Sequence, residues 1–596
     1  MKAIILAAGF GSRMKPLTDN LPKAMLVVAG QTIIQRIINA LLRYNISSIC
    51  VVTGYRREVL ESYLLLTFPN INFTFVFNEA YLKTNNIFSM HLAFEKFEID
   101  EDILLIESDL VISEGVLGKI IHSEKKNVAL VDRFRAGMDG TVVAVNNDLV
   151  TSIIPPHLQG IRFDFSDKYK TLNIYKFSRD FIQSSFRKLL SFYATTYNNN
   201  CYYELILGIL VYMQHETIYA CDVQGEKWFE VDDVNDLRLA EIIFDENNQV
   251  EALDNAFGGF WNIPIIDFTF IRNMYFPNYS MLSDIRYNLD SLIQNYSSTQ
   301  KILNEKLAHF ILVPEEKVCL LNGLSQLYPI LSEIFRGKTV LMPRPTFGEY
   351  EKIFQNKIYY TDSGFTSLSD QISESDVLQA DIVLFVNPNN PTGSFFKAQE
   401  VIEFSERYPK KIIIVDESFV EFTACPTVQD LCIGLTTSNI LVLKSLSKSL
   451  GIPGVRLGYI CSNNIDFIRN VNSRIPIWNS NSIAEYFLEI ILKHRRSLSE
   501  SISQTIQDRD SFIHDLSALQ CVKRVYASGA NFILIQLNFT VDELKVVRQR
   551  LLGNWKIYIK DATTKFQDGS TYVRLAVRLP HENKMLVEAF RAELNI

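Results

Sequence analysis

Short apolar runs alternate with amphipathic stretches along the whole chain. Over 46–53, 73–77 and 102–106 the runs are nearly continuous and rich in β-branched and aromatic residues, as in strands buried on both faces. Over 33–42 and 57–65 apolar residues recur at helical spacing, which predicts helices with one buried face. This βαβ alternation predicts a mainly parallel sheet. A helix over 236–244 closes this part. The polar stretch Asp245-Glu246-Asn247-Asn248-Gln249 follows, and 246–260 reads as a linker with Gly258-Gly259 as its flexible point. The alternation then resumes, with strands expected over 318–321, 339–342, 382–386, 411–415, 440–443 and 532–536. The pattern predicts two α/β domains, 1–245 and 261–596, each large enough to bury its own core.

Composition removes several alternatives. With 47% hydrophobic and 21% charged residues among 596, the chain is neither disordered nor collagen-like. Its longest apolar run, 205–213, is far short of the ~20 residues that span a bilayer, so no membrane is expected as a partner. A net charge of −8 argues against nucleic acid. It leaves anionic small molecules open, because local cations decide such sites. Residues 1–8 run straight into a Gly-rich turn and read as a buried first strand rather than a signal peptide. The eight cysteines have neither CxxC nor zinc spacing, so reduced thiols in the cytoplasm are expected.

The turn is Leu6-Ala7-Ala8-Gly9-Phe10-Gly11-Ser12-Arg13, followed by Pro22-Lys23. Gly9 and Gly11 let backbone N–H groups approach a polyphosphate, and Arg13 and Lys23 add charge where pyrophosphate departs. This LAAGxGxR…PK arrangement resembles the nucleotidyltransferase family that joins a nucleoside triphosphate to a phosphorylated sugar or alcohol. The resemblance implies a Rossmann-like domain, nucleotide binding by Leu6, Ala7, Ala8, Gly9, Gly11, Arg13 and Lys23, catalytic roles for Arg13 and Lys23, and Mg²⁺ on Asp109 and Asp232. Taken alone, either aspartate is a strand-end turn residue. The stretch Asn78-Glu79-Ala80-Tyr81-Leu82-Lys83-Thr84-Asn85-Asn86-Ile87-Phe88-Ser89 resembles bacterial choline-phosphate cytidylyltransferases, which implies CTP and a small aminoalkyl phosphate or phosphonate. Its Asn, Thr and Ser residues equally suit turn formation. Lys170-Thr171-Leu172-Asn173 and Tyr202-Tyr203-Glu204 are candidates for the acceptor pocket.

In the second part, Ser445-Leu446-Ser447-Lys448 precedes Arg456-Leu457-Gly458, Asn387-Pro388-Asn389-Asn390-Pro391-Thr392-Gly393 follows an apolar run, and Asp416 ends the next one. Lysine is the side chain that condenses with an aldehyde cofactor, and a carboxylate under a pyridine nitrogen keeps it protonated. The ordered set resembles the fold-type I aminotransferases, nearest to histidinol-phosphate aminotransferase and threonine-phosphate decarboxylase. That resemblance implies pyridoxal 5′-phosphate, with Lys448 as its covalent partner and Asp416 at the ring nitrogen. Asn390 would meet the ring hydroxyl, Phe347 stack on the ring, and Leu324, Ser325, Ser445 and Arg456 surround the phosphate. Arg574 would pair with the substrate carboxylate and Tyr296 reach a neighbouring subunit's phosphate, implying a homodimer and a small C-terminal lobe. One departure stands out. Many members place Tyr three residues after the aspartate, but this chain has Phe419. Decarboxylase relatives tend to share Phe, so transamination and decarboxylation both stay open.

Together the halves resemble the bifunctional fusions of 2-aminoethylphosphonate cytidylyltransferase and transaminase. The expected substrates are CTP, 2-aminoethylphosphonate or a similar aminoalkyl phosphate, and an amino donor. The alternative is a phosphocholine or phosphoethanolamine cytidylyltransferase joined to a decarboxylase of phosphoserine or threonine phosphate. A third is an inactive second domain kept for dimerisation, against which Lys448, Asp416 and Arg456 speak.

Overall fold

The computed structural model describes residues 1–593 apart from 136, 161, 162, 433 and 435. They form two compact units, Met1–Pro264 and Ile265–Ile596. Among the described residues no helix is long and apolar enough to cross a membrane.

The first unit is built on nine strands in the order Phe73–Phe77, Ile49–Thr53, Lys2–Ala7, Ile103–Glu107, Tyr169–Phe177, Val128–Arg133, Tyr219–Asp222, Leu149–Ile154 and Val142–Asn146. Strand alternation explains its two cores. Ala3, Ile5 and Ala7 pack into one, and Ile4, Leu6 and Ala8 into the other. The helix Ile33–Arg43 covers the first of these faces, and the side chain of Thr32 caps it by accepting from the Gln35 N–H at 3.1 Å. The first four strands are parallel, as the periodicity predicts. The rest of the sheet is mixed, with Tyr219–Asp222 parallel to Val128–Arg133 and the other pairings antiparallel, which corrects the mainly parallel expectation. Tyr169–Phe177 runs antiparallel to both neighbours, and Val142–Asn146 turns directly into Leu149–Ile154. Asn147 and Asp148 both have positive φ there, as a two-residue hairpin turn requires. Where a hairpin replaces a crossover helix, as between Val142–Asn146 and Leu149–Ile154, direction reverses.

The segment expected as a linker contains a helix, Gln249–Ala256, and belongs to the first unit. Phe257 in the left-handed region ends it, with Gly258 and Gly259 following at positive φ. The sequence cue for that helix is weak because it is only 8 residues long and half of them are polar.

In the second unit seven strands run in the order Val318–Asn322, Leu457–Cys461, Ile440–Ser445, Ile412–Asp416, Ile382–Val386, Thr339–Arg344 and Asn356–Thr361. Only Leu457–Cys461 opposes its neighbours. Val383 and Phe385 face one core, Ile382 and Leu384 the other. A separate four-stranded antiparallel sheet carries Phe532–Leu537 and Thr571–Ala576 at its centre, over a core including Phe268, Phe512 and Phe590. This is the small C-terminal lobe.

Candidate active sites

In the first unit the strand order reverses between Lys2–Ala7 and Ile103–Glu107, the place where open α/β sheets bind ligands. Leu6 is in register with Glu107, so the Gly-rich loop leaves the sheet beside Glu107-Ser108-Asp109. Asp232 reaches the same place through a two-stranded ribbon. Leu110–Ile112 pairs antiparallel with Trp228–Glu230, and the Val231 N–H donates to the Asp109 carbonyl at 2.9 Å. A capping box formed by Asp233 and Asp236 starts the next helix, and Asp236 also accepts from the Asp232 N–H at 2.9 Å.

Lys23 Nζ lies 2.9 Å from Asp109 Oδ2 and 2.8 Å from Asp232 Oδ1, while Arg13 Nη2 lies 3.0 Å from Asp232 Oδ1. Burial lowers the Lys23 pKa, but the two carboxylates more than reverse this and raise it. Burial raises that of Asp232, and Lys23 and Arg13 outweigh it, holding the carboxyl below its ordinary range. Leu6, Ala7, Ala8, Gly9, Gly11, Arg13, Lys23, Asp109 and Asp232 all line one cavity of about 540 Å³. Gly11 has φ +62°, a conformation suited to glycine, and a Cβ there would sit 3.3 Å from that of Lys23.

Asp109 Oδ1 is buried without a hydrogen-bond partner. Among the described residues no cluster of three or more His, Cys, Asp or Glu forms a ready metal site. Two carboxylates, one with an unmet lone pair, are the donor set expected where phosphate oxygens and water complete an Mg²⁺ shell.

The Asn78–Ser89 stretch divides between the two readings. Asn78 Nδ2 donates to Thr84 Oγ1 at 3.1 Å and to Ser89 Oγ at 3.0 Å, and its Oδ1 accepts from the Ala80 N–H, so these three residues build the turn. Asn86 instead reaches across the cavity. It donates to Glu107 Oε1 at 3.0 Å and accepts from the Tyr203 N–H at 3.0 Å. Lys170, Asn173, Tyr202 and Glu204 line the cavity. Glu230, which sequence reasoning missed, binds Lys170 at 2.9 Å and Asn173 at 3.2 Å. The available signal was its position two residues before Asp232, on the same side of an extended segment.

In the second unit the C-terminal ends of three adjacent parallel strands deliver the motifs in a row. Val386 pairs with Asp416, and Asp416 with Leu443. Asp416 accepts from Tyr350 Oη at 2.6 Å and from Ser418 Oγ at 2.5 Å; neither partner was foreseen. Burial raises its pKa, opposed by these bonds and by Lys448. Burial, then Arg574 and Arg456, hold the Lys448 amine down at about 8 against the pull of Asp416. Ser445 precedes the short helix Leu446–Ser449, and its N–H donates to Ser418 Oγ at 3.0 Å. Arg456 Nη2 donates to Ser325 Oγ at 2.9 Å, beside the turn Leu324–Gln326. The half-buried Arg574, its pKa lowered to about 10 by desolvation, donates to Asn390 Oδ1 at 2.9 Å and keeps an unpartnered Nε. Phe347 packs edge-on against Tyr350 with ring centroids 6.1 Å apart. Tyr296 stands apart from this group, 79% exposed and stacked on Trp478.

These residues fit pyridoxal phosphate. At Gly323, φ is +70° and a Cβ would lie 2.4 Å from Arg456 Nη2, so glycine keeps room for the Arg456 guanidinium beside Ser325. We expect Gly323→Ala to weaken cofactor binding by about tenfold or more, since it displaces a charge-assisted hydrogen-bond donor. Absorbance titration of the apoprotein with pyridoxal phosphate measures this, and unchanged affinity would count against Arg456 as the phosphate ligand.

The aminotransferase class I and II family model matches residues 284–590, and the MobA-like NTP transferase domain model matches residues 3–157. CMP-5′-(3-aminopropyl)phosphonate synthase of Streptomyces rubellomurinus is 28% identical over 598 aligned positions, covering 99% of this chain and 94% of that protein. An L-serine phosphate decarboxylase of Campylobacter jejuni is 27% identical, covering 50% of this chain and 80% of its own. The crystal structure of L-threonine-O-3-phosphate decarboxylase from Porphyromonas gingivalis covers 56% of this chain at 25% identity, with a TM-score of 0.49.

Proposed function

The chain belongs to the aminotransferase class I and II family and carries a MobA-like NTP transferase domain ahead of it, and on that premise we propose that it forms an aminoalkylphosphonate and couples it to CMP. The second unit transaminates phosphonoacetaldehyde to 2-aminoethylphosphonate. The first joins that product to CTP, giving CMP-2-aminoethylphosphonate and pyrophosphate. The observation that carries this reading is the single cavity in which Arg13 and Lys23 meet Asp109 and Asp232 at the end of the Gly-rich loop. The 28% identity to a CMP-aminoalkylphosphonate synthase along nearly the whole chain supports the substrate class.

The phosphonate oxygen is already anionic at neutral pH and needs no general base. It attacks the α-phosphorus of CTP in line; the new P–O bond forms as the α–β bridging bond breaks, and pyrophosphate leaves with the electron pair. Arg13 and Lys23 stabilise the charge that gathers on the leaving group. Asp109 and Asp232 would hold Mg²⁺, which screens phosphate charge.

In the second unit Lys448, Asp416, Asn390, Arg456, Ser325 and Phe347 would hold pyridoxal phosphate, whose protonated ring supplies an electron sink. Tyr350 and Ser418 fix Asp416 for that nitrogen. Arg574 orients the carboxylate of the amino donor, and the Lys448 amine moves the proton at the donor's Cα. The reading includes a homodimer, with Tyr296 of each chain at the neighbouring site. Tyr287, Ile293, Tyr296 and Trp478 are large apolar groups left exposed on one chain.

A second reading has one specific observation in its favour. Phe419 is buried against Phe532 and offers no hydroxyl to a cofactor ring. It would make the second unit an amino-acid decarboxylase. CTP-dependent pyrophosphate release with 2-aminoethylphosphonate, phosphocholine and phosphoethanolamine tests the first unit; a poor rate with the phosphonate overturns the assignment. Carbon dioxide release from phosphoserine would favour the second reading, whereas a cofactor spectral change with 2-aminoethylphosphonate and a keto acid would favour transamination.

A further inference from the structure

Six carboxylates line the first-unit cavity, Glu107, Asp109, Asp139, Glu204, Glu230 and Asp232, against three cations, Arg13, Lys23 and Lys170. Each cation is already engaged. Arg13 and Lys23 pair with Asp109 and Asp232, and Lys170 with Glu230. Among the described residues neither Glu107 nor Glu204 has a cation within ion-pair distance. Glu204 is only 6% exposed, and its Oε2 has no hydrogen-bond partner. The buried rings of Tyr175 and Tyr203 stand 5.8 Å apart, and their hydroxyls lie within electrostatic reach of Glu204. Buried polar atoms are rarely left unmet in a folded protein, and a buried carboxyl oxygen facing a cavity with no ion-pair partner points to a cationic ligand. Asn86 holds the two glutamate segments together by donating to Glu107 and accepting from Tyr203, the neighbour of Glu204.

We propose that Glu204, supported by Glu107, receives the primary ammonium group of the acceptor and so selects the first unit's substrate. This rests on the reading of that unit as an aminoalkylphosphonate cytidylyltransferase. The cavity then suits a zwitterion, its anion beside Arg13 and Lys23 and its ammonium at Glu204. A trimethylammonium group has no N–H to give Oε2. The same charge sets the order of the two reactions. An aldehyde lacks the ammonium, and an amino acid would bring a carboxylate towards Glu204, so the amine-forming reaction comes before nucleotidyl transfer whichever chemistry the second unit performs.

The test uses the full chain with CTP and Mg²⁺ and three acceptors: 2-aminoethylphosphonate, its N-trimethyl counterpart and 2-hydroxyethylphosphonate. The wild type should prefer the primary amine over the hydroxyl isostere by roughly 100-fold in kcat/KM, and Glu204→Gln should shrink that ratio by about 30-fold, mostly through KM. Equal loss with both acceptors, an unchanged ratio, or wild-type use of the trimethyl compound as readily as the amine would overturn the proposal. A CTP-induced shift in Tm checks folding, and if Glu204→Gln fails it, Glu107→Gln carries the same comparison. A wild type inactive with all three acceptors but active with a sugar phosphate would instead overturn the cytidylyltransferase reading itself.

Discussion

Lys448→Ala is expected to remove amine formation, by about 10⁴-fold or more, while leaving CTP-dependent pyrophosphate release intact when the aminoalkylphosphonate is supplied. The first half of the expectation follows from the position of Lys448 between Asp416, Arg456 and Arg574, where it is the one group suited to move a proton at Cα. The second follows from the separate cores of the two units. Two assays on one preparation decide the matter, and a parallel fall in both would mean that the sites are coupled. The wild-type lysine also has a pH signature. With its amine held at about 8, the apoprotein's capture of pyridoxal phosphate should rise to a plateau just above that pH. An ordinary lysine would go on gaining until about 10.4. The sign for stability follows from the same depression. Between these two values the unfolded chain binds more protons than the folded one, so the contribution of Lys448 to apoprotein stability grows as pH rises through this window and is lost as pH falls.

Lys23→Ala is expected to lower kcat for pyrophosphate release by roughly 10³-fold, the scale for losing a positioned charge at a leaving group. Its second effect is more diagnostic. Lys23 bridges the two carboxylates assigned to the metal. Removing it leaves Asp109 and Asp232 without that bridge, so Mg²⁺ alone should raise the Tm of the variant more than that of the wild type. Equal shifts would place the metal elsewhere. The wild type must exchange the Lys23 bridge for bonds to phosphate when CTP and metal enter.

Much of this was legible in the sequence because each motif sits where a strand ends. A buried strand is a continuous apolar run, so its boundary is sharp, and the residues just past it are those the sheet delivers to a site. Asp416, Lys448 and the Gly-rich loop were readable for that reason. What the sequence concealed were partners from distant segments. Tyr350 reads as one more core aromatic, yet its hydroxyl is what holds Asp416. Glu230 reads as an alternating strand residue, yet it neutralises Lys170. Past residue 140 the mainly parallel expectation fails because an apolar run marks a strand but not the direction of its neighbours, as Tyr169–Phe177 shows. The helix Gln249–Ala256 is hard to read because its 8 residues are half polar and only Val250 and Leu253 mark its apolar face.

The ribbon that joins Asp109 to Asp232 also fixes when the first site is completed during synthesis. The Gly-rich loop, Lys23 and Asp109 emerge from the ribosome early, but Tyr169–Phe177, which lies in the middle of the sheet, and Trp228–Glu230, which carries Asp232 into place, emerge late. A nascent chain cut at residue 157, where the match to the transferase model ends, therefore has the phosphate loop but neither the central strand nor the second carboxylate. Every group of the first site is nonetheless present before Ile265 is made. The first unit can therefore mature on the ribosome as a finished transferase while the second is still being translated.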